Sequence, residues 1–234
     1  MSKEGDTMSD KDEEIEYYTM ENYPLEVVTP FGPPFLKSTM PAGMIDEIND
    51  IIDEMVKDDE ACKEADFSGD LVGMVHQQLK LSEQIIAPWA DWLAHMSNQI
   101  WDCAVLRDAG NSSNPAGDFP NVLFPSHWIV RQFAGEFNPV HLHTNCSLSY
   151  VGYLKTPDWK EEKESDDRYS CKGDIEFICG NPLLLSNNRL KFSPQVGDFF
   201  MFPSWLQHVV YPFNSPGERR SIAGNGHMWW GKNE

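Results

Sequence analysis

The chain is poor in basic residues. Lysine and arginine together number 18 against 37 aspartates and glutamates, which gives a formal net charge of −19 over 234 residues. An excess of that sign repels phosphate backbones and anionic headgroups, so nucleic acid and membrane surfaces are set aside as partners. Part of the charge is local. One acidic run lies within the first 22 residues (Asp10, Asp12, Glu13, Glu14, Glu16) and another spans 46–66. The five cysteines, Cys62, Cys103, Cys146, Cys171 and Cys179, are odd in number and never spaced as CxxC. That usage fits a reducing compartment better than a disulfide framework. The opening MSKEGDTMSDKDEE lacks the apolar core of a signal peptide, and no apolar run approaches the roughly 18 residues of a membrane helix. A cytoplasmic protein is expected. Internal repeats, GxGxxG, a phosphate-cradling P-loop and GxSxG are also missing.

What is present suffices for one well-buried domain, since 41% of the residues are hydrophobic. Residues 1–22 read as an acidic, disordered tail, and 23–234 as a single domain. Within 23–35 an apolar run followed by three prolines and a glycine suits an edge strand and an extended connection. Met44, Ile45, Ile48, Ile51, Ile52, Met55 and Val56 recur at helical spacing behind Pro41. Residues 58–70 read as a loop, and a second helix is expected from about Leu71. A third, after Ser82, carries Ile85, Ile86, Trp89, Leu93, Met96, Ile100 and Trp101 on one face. The helical half thus spans about 40–107.

Past a Gly-, Ser-, Asn- and Pro-rich loop at 109–121 the pattern becomes one of short β-rich runs: 127–133, a central run to about 155, 174–178, 189–192, 197–202, 208–213 and 219–230. Residues 158–172 form a charged insertion between two of them. The expected fold is α+β, a jelly roll over about 122–230 supported by N-terminal helices.

The central run, FNPVHLHTNCSLSYVGY, contains His141 and His143. Residues two apart on a strand share a face, so two imidazoles can take neighbouring positions on one metal ion. A third histidine, His208, follows in GDFFMFPSWLQHVVYPF. Three neutral nitrogens suit Fe(II), Zn(II) or a similar metal. Arg219 and Ser221 lie eleven and thirteen residues beyond His208. An arginine facing into a barrel needs an anionic partner, and a carboxylate-bearing cosubstrate takes its two parallel hydrogen bonds. His76, His95 and His127 read as structural. His227 shares the parity of Arg219, Ser221, Ala223 and Asn225.

These blocks resemble the Fe(II)- and 2-oxoglutarate-dependent oxygenases, and more narrowly a branch of them in marine bacteria and phages with HxH…SxxxYL and GD…FP…H segments. The resemblance covers about 127–226 and rests on RQFAGEFNPVHLH, SLSYVGYL, the His208 block and ERRSIAGN. It implies a double-stranded β-helix, with Fe(II) held by His141, His143 and His208. It further implies 2-oxoglutarate anchored through its far carboxylate by Arg219 and Ser221, O2 as second substrate, and hydroxylation of a peptide or small molecule. The sequence departs from the wider family in two places. His143 stands where an Asp or Glu is usual, and Phe133 where many members carry a cosubstrate-binding Tyr; Arg131 is a candidate to compensate. Asn145 is a candidate to act through a water. Cupins are a second resemblance, often with three-histidine metal sites and no 2-oxoglutarate. A non-catalytic jelly-roll binding protein is a third reading. Because metal binding needs neutral imidazoles, activity is expected to fall below about pH 6.5.

Overall fold

The structure is a computed structural model that describes residues 32–108, 119–159, 172–184 and 187–230. The tail expected over 1–22, most of the edge strand expected over 23–35, and the greater part of the segments 109–121 and 158–172 lie outside them. Ten strands form two sheets. The larger contains β1 (Leu36–Thr39), β8 (Asp198–Pro203), β5 (Leu148–Lys155), β10 (Arg219–Trp229), β3 (Asn121–Gln132) and β2 (Gln77–Leu81), in that order. The smaller contains β4 (Asn138–His141), β9 (Gln207–Val210), β6 (Ile175–Ile178) and β7 (Arg189–Phe192). Each neighbouring pair is antiparallel. From β3 onward the chain passes back and forth between the sheets in the order of a double-stranded β-helix. The expected jelly-roll core is present.

Alternation along the strands decides what each sheet face carries. In β10, Arg219, Ser221, Ala223 and Asn225 face the smaller sheet across a cavity. Ile222, of the opposite parity, joins the core beneath the helices together with Met44, Ile48 and Ile52 of α1 (Ala42–Met55). Ile48, Ile52 and Ile222 have no exposed surface, and each such side chain is worth about 1.5–3 kcal/mol of burial. Between the sheets an aromatic cluster of Phe35, Phe177, Phe192, Phe200 and Phe202 fills the interior beside the cavity, with Phe202 reaching its lining.

Charge also ties α1 to the sheet. Arg220 donates from Nη2 to Asp53 Oδ1 of α1 (2.6 Å) and from Nε to Glu218 Oε1 (2.8 Å), and Arg131 donates to the same Glu218 oxygen from 2.7 Å. Burial raises the Glu218 carboxyl, but hydrogen bonds from Arg220 and Arg131 outweigh it and hold the group below its ordinary value.

Three segments differ from the expected elements. Residues 58–70 contain a short helix, α2 (Asp59–Glu64), because Asp58 caps it by accepting from the backbone N–H groups of Glu60 and Ala61. The helix expected from Leu71 is replaced by the strand β2, whose QQLKL pairs with β3 and buries Gln78, Leu79 and Leu81. The third helix is broken at Pro88. It comprises α3 (Glu83–Ile86), a 3-10 turn at Ala87–Trp89 and α4 (Ala90–Asp108), and buries Ile86, Leu93, Met96 and Ile100 as expected.

Candidate metal centre

His141 closes β4, which lies at the edge of the smaller sheet, where Pro139 is tolerated because no ladder N–H is required of it. His141 lies opposite His208 in the register of β4 and β9. His143 lies past the end of β4. Its backbone N–H donates to the Ser204 carbonyl (2.9 Å), and Ser204 Oγ donates to the Cys146 carbonyl (2.7 Å), which clamps the turn that follows. Asn145 supplies that turn's left-handed residue, at φ 57°, a conformation asparagine tolerates. The HxH pair therefore straddles a strand end instead of lying on one strand face.

The three imidazoles nonetheless converge. One ring nitrogen from each of His141, His143 and His208 lies within 4.8 Å of the others. His143 Nε2 and His208 Nε2 are 3.4 Å apart. Nitrogens bound to one metal at about 2.1 Å lie roughly 3.0–3.4 Å apart for right-angled to tetrahedral geometry, so the spacing fits an ion. The remaining ring nitrogens are committed elsewhere. His141 Nδ1 donates to the Pro139 carbonyl (2.7 Å), His208 Nδ1 to the Leu206 carbonyl (3.0 Å), and His143 hydrogen-bonds Asn225. Such partners fix the tautomer and turn a bare lone pair toward the common centre. Trp128 stacks on His143 at 5.8 Å between centroids.

Burial keeps these rings neutral. It pulls His143 down to about 4, helped by charge repulsion from His141, and pulls His208 and His141 below the ordinary value as well. The onset of protonation is thereby displaced to lower pH than the free-histidine value of about 6.5. This corrects the expected pH threshold.

A cavity of about 400 Å³ joins the histidines to Arg219 and Ser221. Arg219 is 1% exposed. Nη1 donates to Gln132 Oε1 (2.9 Å), Nη2 donates to the Tyr153 hydroxyl (3.0 Å), and the guanidinium lies over the Tyr153 ring at 4.7 Å. Its Nε is buried without a hydrogen-bond partner, and the Asp174 carboxylate acts on the guanidinium electrostatically. Burial pulls the guanidinium below its ordinary value, opposed by Tyr153. A buried cation with a spare donor beside a cavity fits an anionic ligand such as the carboxylate of 2-oxoglutarate.

Arg131 is not brought to this cavity. It has the parity of Ile129, on the helix side of β3, and is held by Glu218 and by Gln77 Oε1 (2.6 Å). Asn145 is exposed in its turn, and the amide that meets His143 is that of Asn225. His227 follows a register shift between Asn225 and His227 and is exposed, away from the lining. His127 is buried, with Nδ1 2.7 Å from the Tyr150 hydroxyl. Gln132, Tyr153 and Asn225 were not singled out from the sequence as site residues. Their strand parity relative to Val130, Ser221 and Arg219 was the available signal.

Residues 126–225 match the family model described as "Putative 2OG-Fe(II) oxygenase". No curated protein matches the chain. Among solved structures, a prolyl-4-hydroxylase of Pseudomonas putida is similar with a TM-score of 0.50 at 13% identity, over 85% of this chain and 94% of that one. The viral collagen prolyl hydroxylase of Paramecium bursaria Chlorella virus-1, in its 2-oxoglutarate complex, gives 0.46 at 14%, over 85% and 98%. A Trichoplax adhaerens prolyl hydroxylase bound to a hypoxia inducible factor peptide fragment gives 0.46 at 13%, over 84% and 83%. At such identities the likeness to the first is one of fold.

Proposed function

We propose, from the match of residues 126–225 to the 2OG-Fe(II) oxygenase family model, that the chain hydroxylates an uncharged, largely apolar substrate. His141, His143 and His208 would hold Fe(II), and Arg219 and Ser221 the far carboxylate of 2-oxoglutarate. Iron with 2-oxoglutarate and O2 supplies the oxidant for inserting oxygen into a C–H bond, the cosubstrate being decarboxylated to succinate. The chain's own part is positioning. His141 and His208 keep their Nδ1 hydrogens on backbone carbonyls, so their other nitrogens stay available as neutral donors. Gln132 and Tyr153 hold the guanidinium of Arg219 in one orientation, which leaves Nε for the incoming carboxylate. Trp128, Val130 and Phe202 wall the cavity and exclude water.

The observation that carries this reading is the shared cavity: three converging imidazoles at one side, and a buried arginine with an unpartnered Nε at another. For the substrate, the support is that, among the described residues, the ionisable groups of the lining are Arg219, the three histidines and Tyr150, with no carboxylate. A cupin-type reading is favoured by the all-histidine donor set alone, and Arg219 weighs against it.

Anaerobic titration of the Fe(II)-loaded protein with 2-oxoglutarate separates the two. A visible charge-transfer band that is lost in Arg219→Gln is the expected result. Iron uptake without a band moves the cupin reading ahead, and failure to take up iron overturns both.

A further inference from the structure

Two side-chain amides in the cavity have no part in the arrangement above. Gln78, in β2, is 2% exposed and lines the cavity. Asn138 opens β4 and lines the same cavity, and its Oδ1 is buried without a partner. The unsatisfied Asn138 oxygen costs about 1–3 kcal/mol, which a ligand donating to it returns.

Strand register gives their place. Gln78 is paired with Val130, and Val130 with Ser221, so the three form one row across the cavity face of the larger sheet. Gln78 is therefore two strand spacings, about 10 Å, from Ser221. Asn138 pairs with Val210 in the smaller sheet. The amides thus stand on the outer strands of the two sheets, β2 and β4, away from Arg219. The link between them and the preceding chain is tied at Met74, which exchanges backbone hydrogen bonds with Phe137 at 2.9 and 3.2 Å. Gly73 in that link approaches both amides. A Cβ there would meet Asn138 Oδ1 at 2.7 Å and Gln78 Nε2 at 3.0 Å, so the two atoms lie close to each other.

The surroundings are apolar. Phe67, Leu71 and Trp128 line this side, and Val72 and Leu142 are 55% and 43% exposed. Among the described residues, no aspartate, glutamate or lysine contributes to the lining. In an extended peptide the N–H and C=O of one residue point the same way, while its side chain points elsewhere.

We propose that Gln78 and Asn138 clamp the backbone of one residue in an extended, uncharged, apolar peptide segment. Gln78 Nε2 donates to that residue's carbonyl, and Asn138 Oδ1 accepts from its N–H. The clamp names the substrate of the oxygenase proposed above and rests on that reading for the chemistry, but not for the binding.

The test uses the full chain and a minimal probe, N-acetyl-L-leucine N′-methylamide, with binding followed by protein NMR. 2-Oxoglutarate binding in the presence of Mn(II) is measured separately by calorimetry. Saturable shifts centred on 71–78 and 138 are expected. Gln78→Leu, and Gly73→Ala with its methyl between the amides, should each weaken the probe at least tenfold while leaving 2-oxoglutarate binding within twofold. An analogue methylated on the leucine nitrogen, which lacks the donor, should bind wild type at least tenfold more weakly. No saturable binding to wild type overturns the proposal. So does equal binding of the two probes, or wild-type affinity in Gln78→Leu. Probe binding without any 2-oxoglutarate binding leaves the clamp standing and overturns the oxygenase reading.

Discussion

The Nε2 atoms of His143 and His208 face each other at 3.4 Å, while His208 Nδ1 is spent on the Leu206 carbonyl. With its proton on Nδ1, His208 offers its partner a bare lone pair. His141 adds a third nitrogen within 4.8 Å. A cation at their centre is what relieves this crowding of donors, and none of the three neutral rings offsets its charge.

That neutrality couples the metal to the cosubstrate. With no carboxylate ligand among the described residues, the charge of Fe(II) is balanced chiefly by 2-oxoglutarate, so each should bind more tightly when the other is present, and by the same factor. Equilibrium dialysis under anaerobic conditions should show the Fe(II) Kd falling at least tenfold at saturating 2-oxoglutarate. His143→Asp should bind iron more tightly alone and show a smaller coupling. His143→Ala should lose tight iron binding.

Arg219→Gln should abolish the stabilisation that 2-oxoglutarate confers. A ligand at about 100 times its Kd stabilises the fold by about 2.7 kcal/mol, which thermal unfolding with Mn(II) and 2-oxoglutarate reads directly. The variant should give the same melting temperature with and without cosubstrate. Tyr153→Phe, which removes the hydroxyl accepting from Arg219 Nη2, should keep metal binding and weaken 2-oxoglutarate roughly tenfold, about 1.4 kcal/mol.

Acid should unfold the metal-free protein over a defined window. Burial holds His127 and His143 down at about 4, whereas the unfolded chain takes up those protons near pH 6.5. Between those values the unfolded state binds more protons, so stability is intact above about 6.5 and is lost as pH falls toward 4, by up to about 1.4 kcal/mol per pH unit per histidine. Urea midpoints at successive pH values should show this slope, and His127→Gln should reduce it.

Gly224→Ala tests the back of β10. A Cβ there would lie 2.5–2.9 Å from ring and hydroxyl atoms of Tyr150, which is fully buried and hydrogen-bonded to His127. Overpacking of this kind costs about 1–3 kcal/mol. Chemical denaturation should register it, with metal affinity less affected than stability.

The legible part of the molecule was what depends on local period and spacing. The apolar repeat of α1, the His141/His143/His208 set and the strands over 174–178 and 189–192 all follow from such patterns. β2 was not legible, because its place is earned by pairing with β3, some fifty residues away, and not by its own QQLKL. Arg131 was misjudged for a related reason. Both neighbours Val130 and Gln132 face inward, and only their register with β10 tells which parity is the cavity side. His227 failed at a bulge, which reverses parity without any mark in the residues themselves.

The position of β10 has a consequence for synthesis. It follows β3 and β5 in sequence, yet it lies between them in the interior of the larger sheet. Until residues 219–229 have left the ribosome, β5 and β3 each present an open edge, and the site lacks its arginine. The nascent protein therefore cannot close early. It passes through a stage with two exposed strand edges, of the kind that invites aggregation, and gains its barrel and its cosubstrate anchor together when β10 enters the sheet.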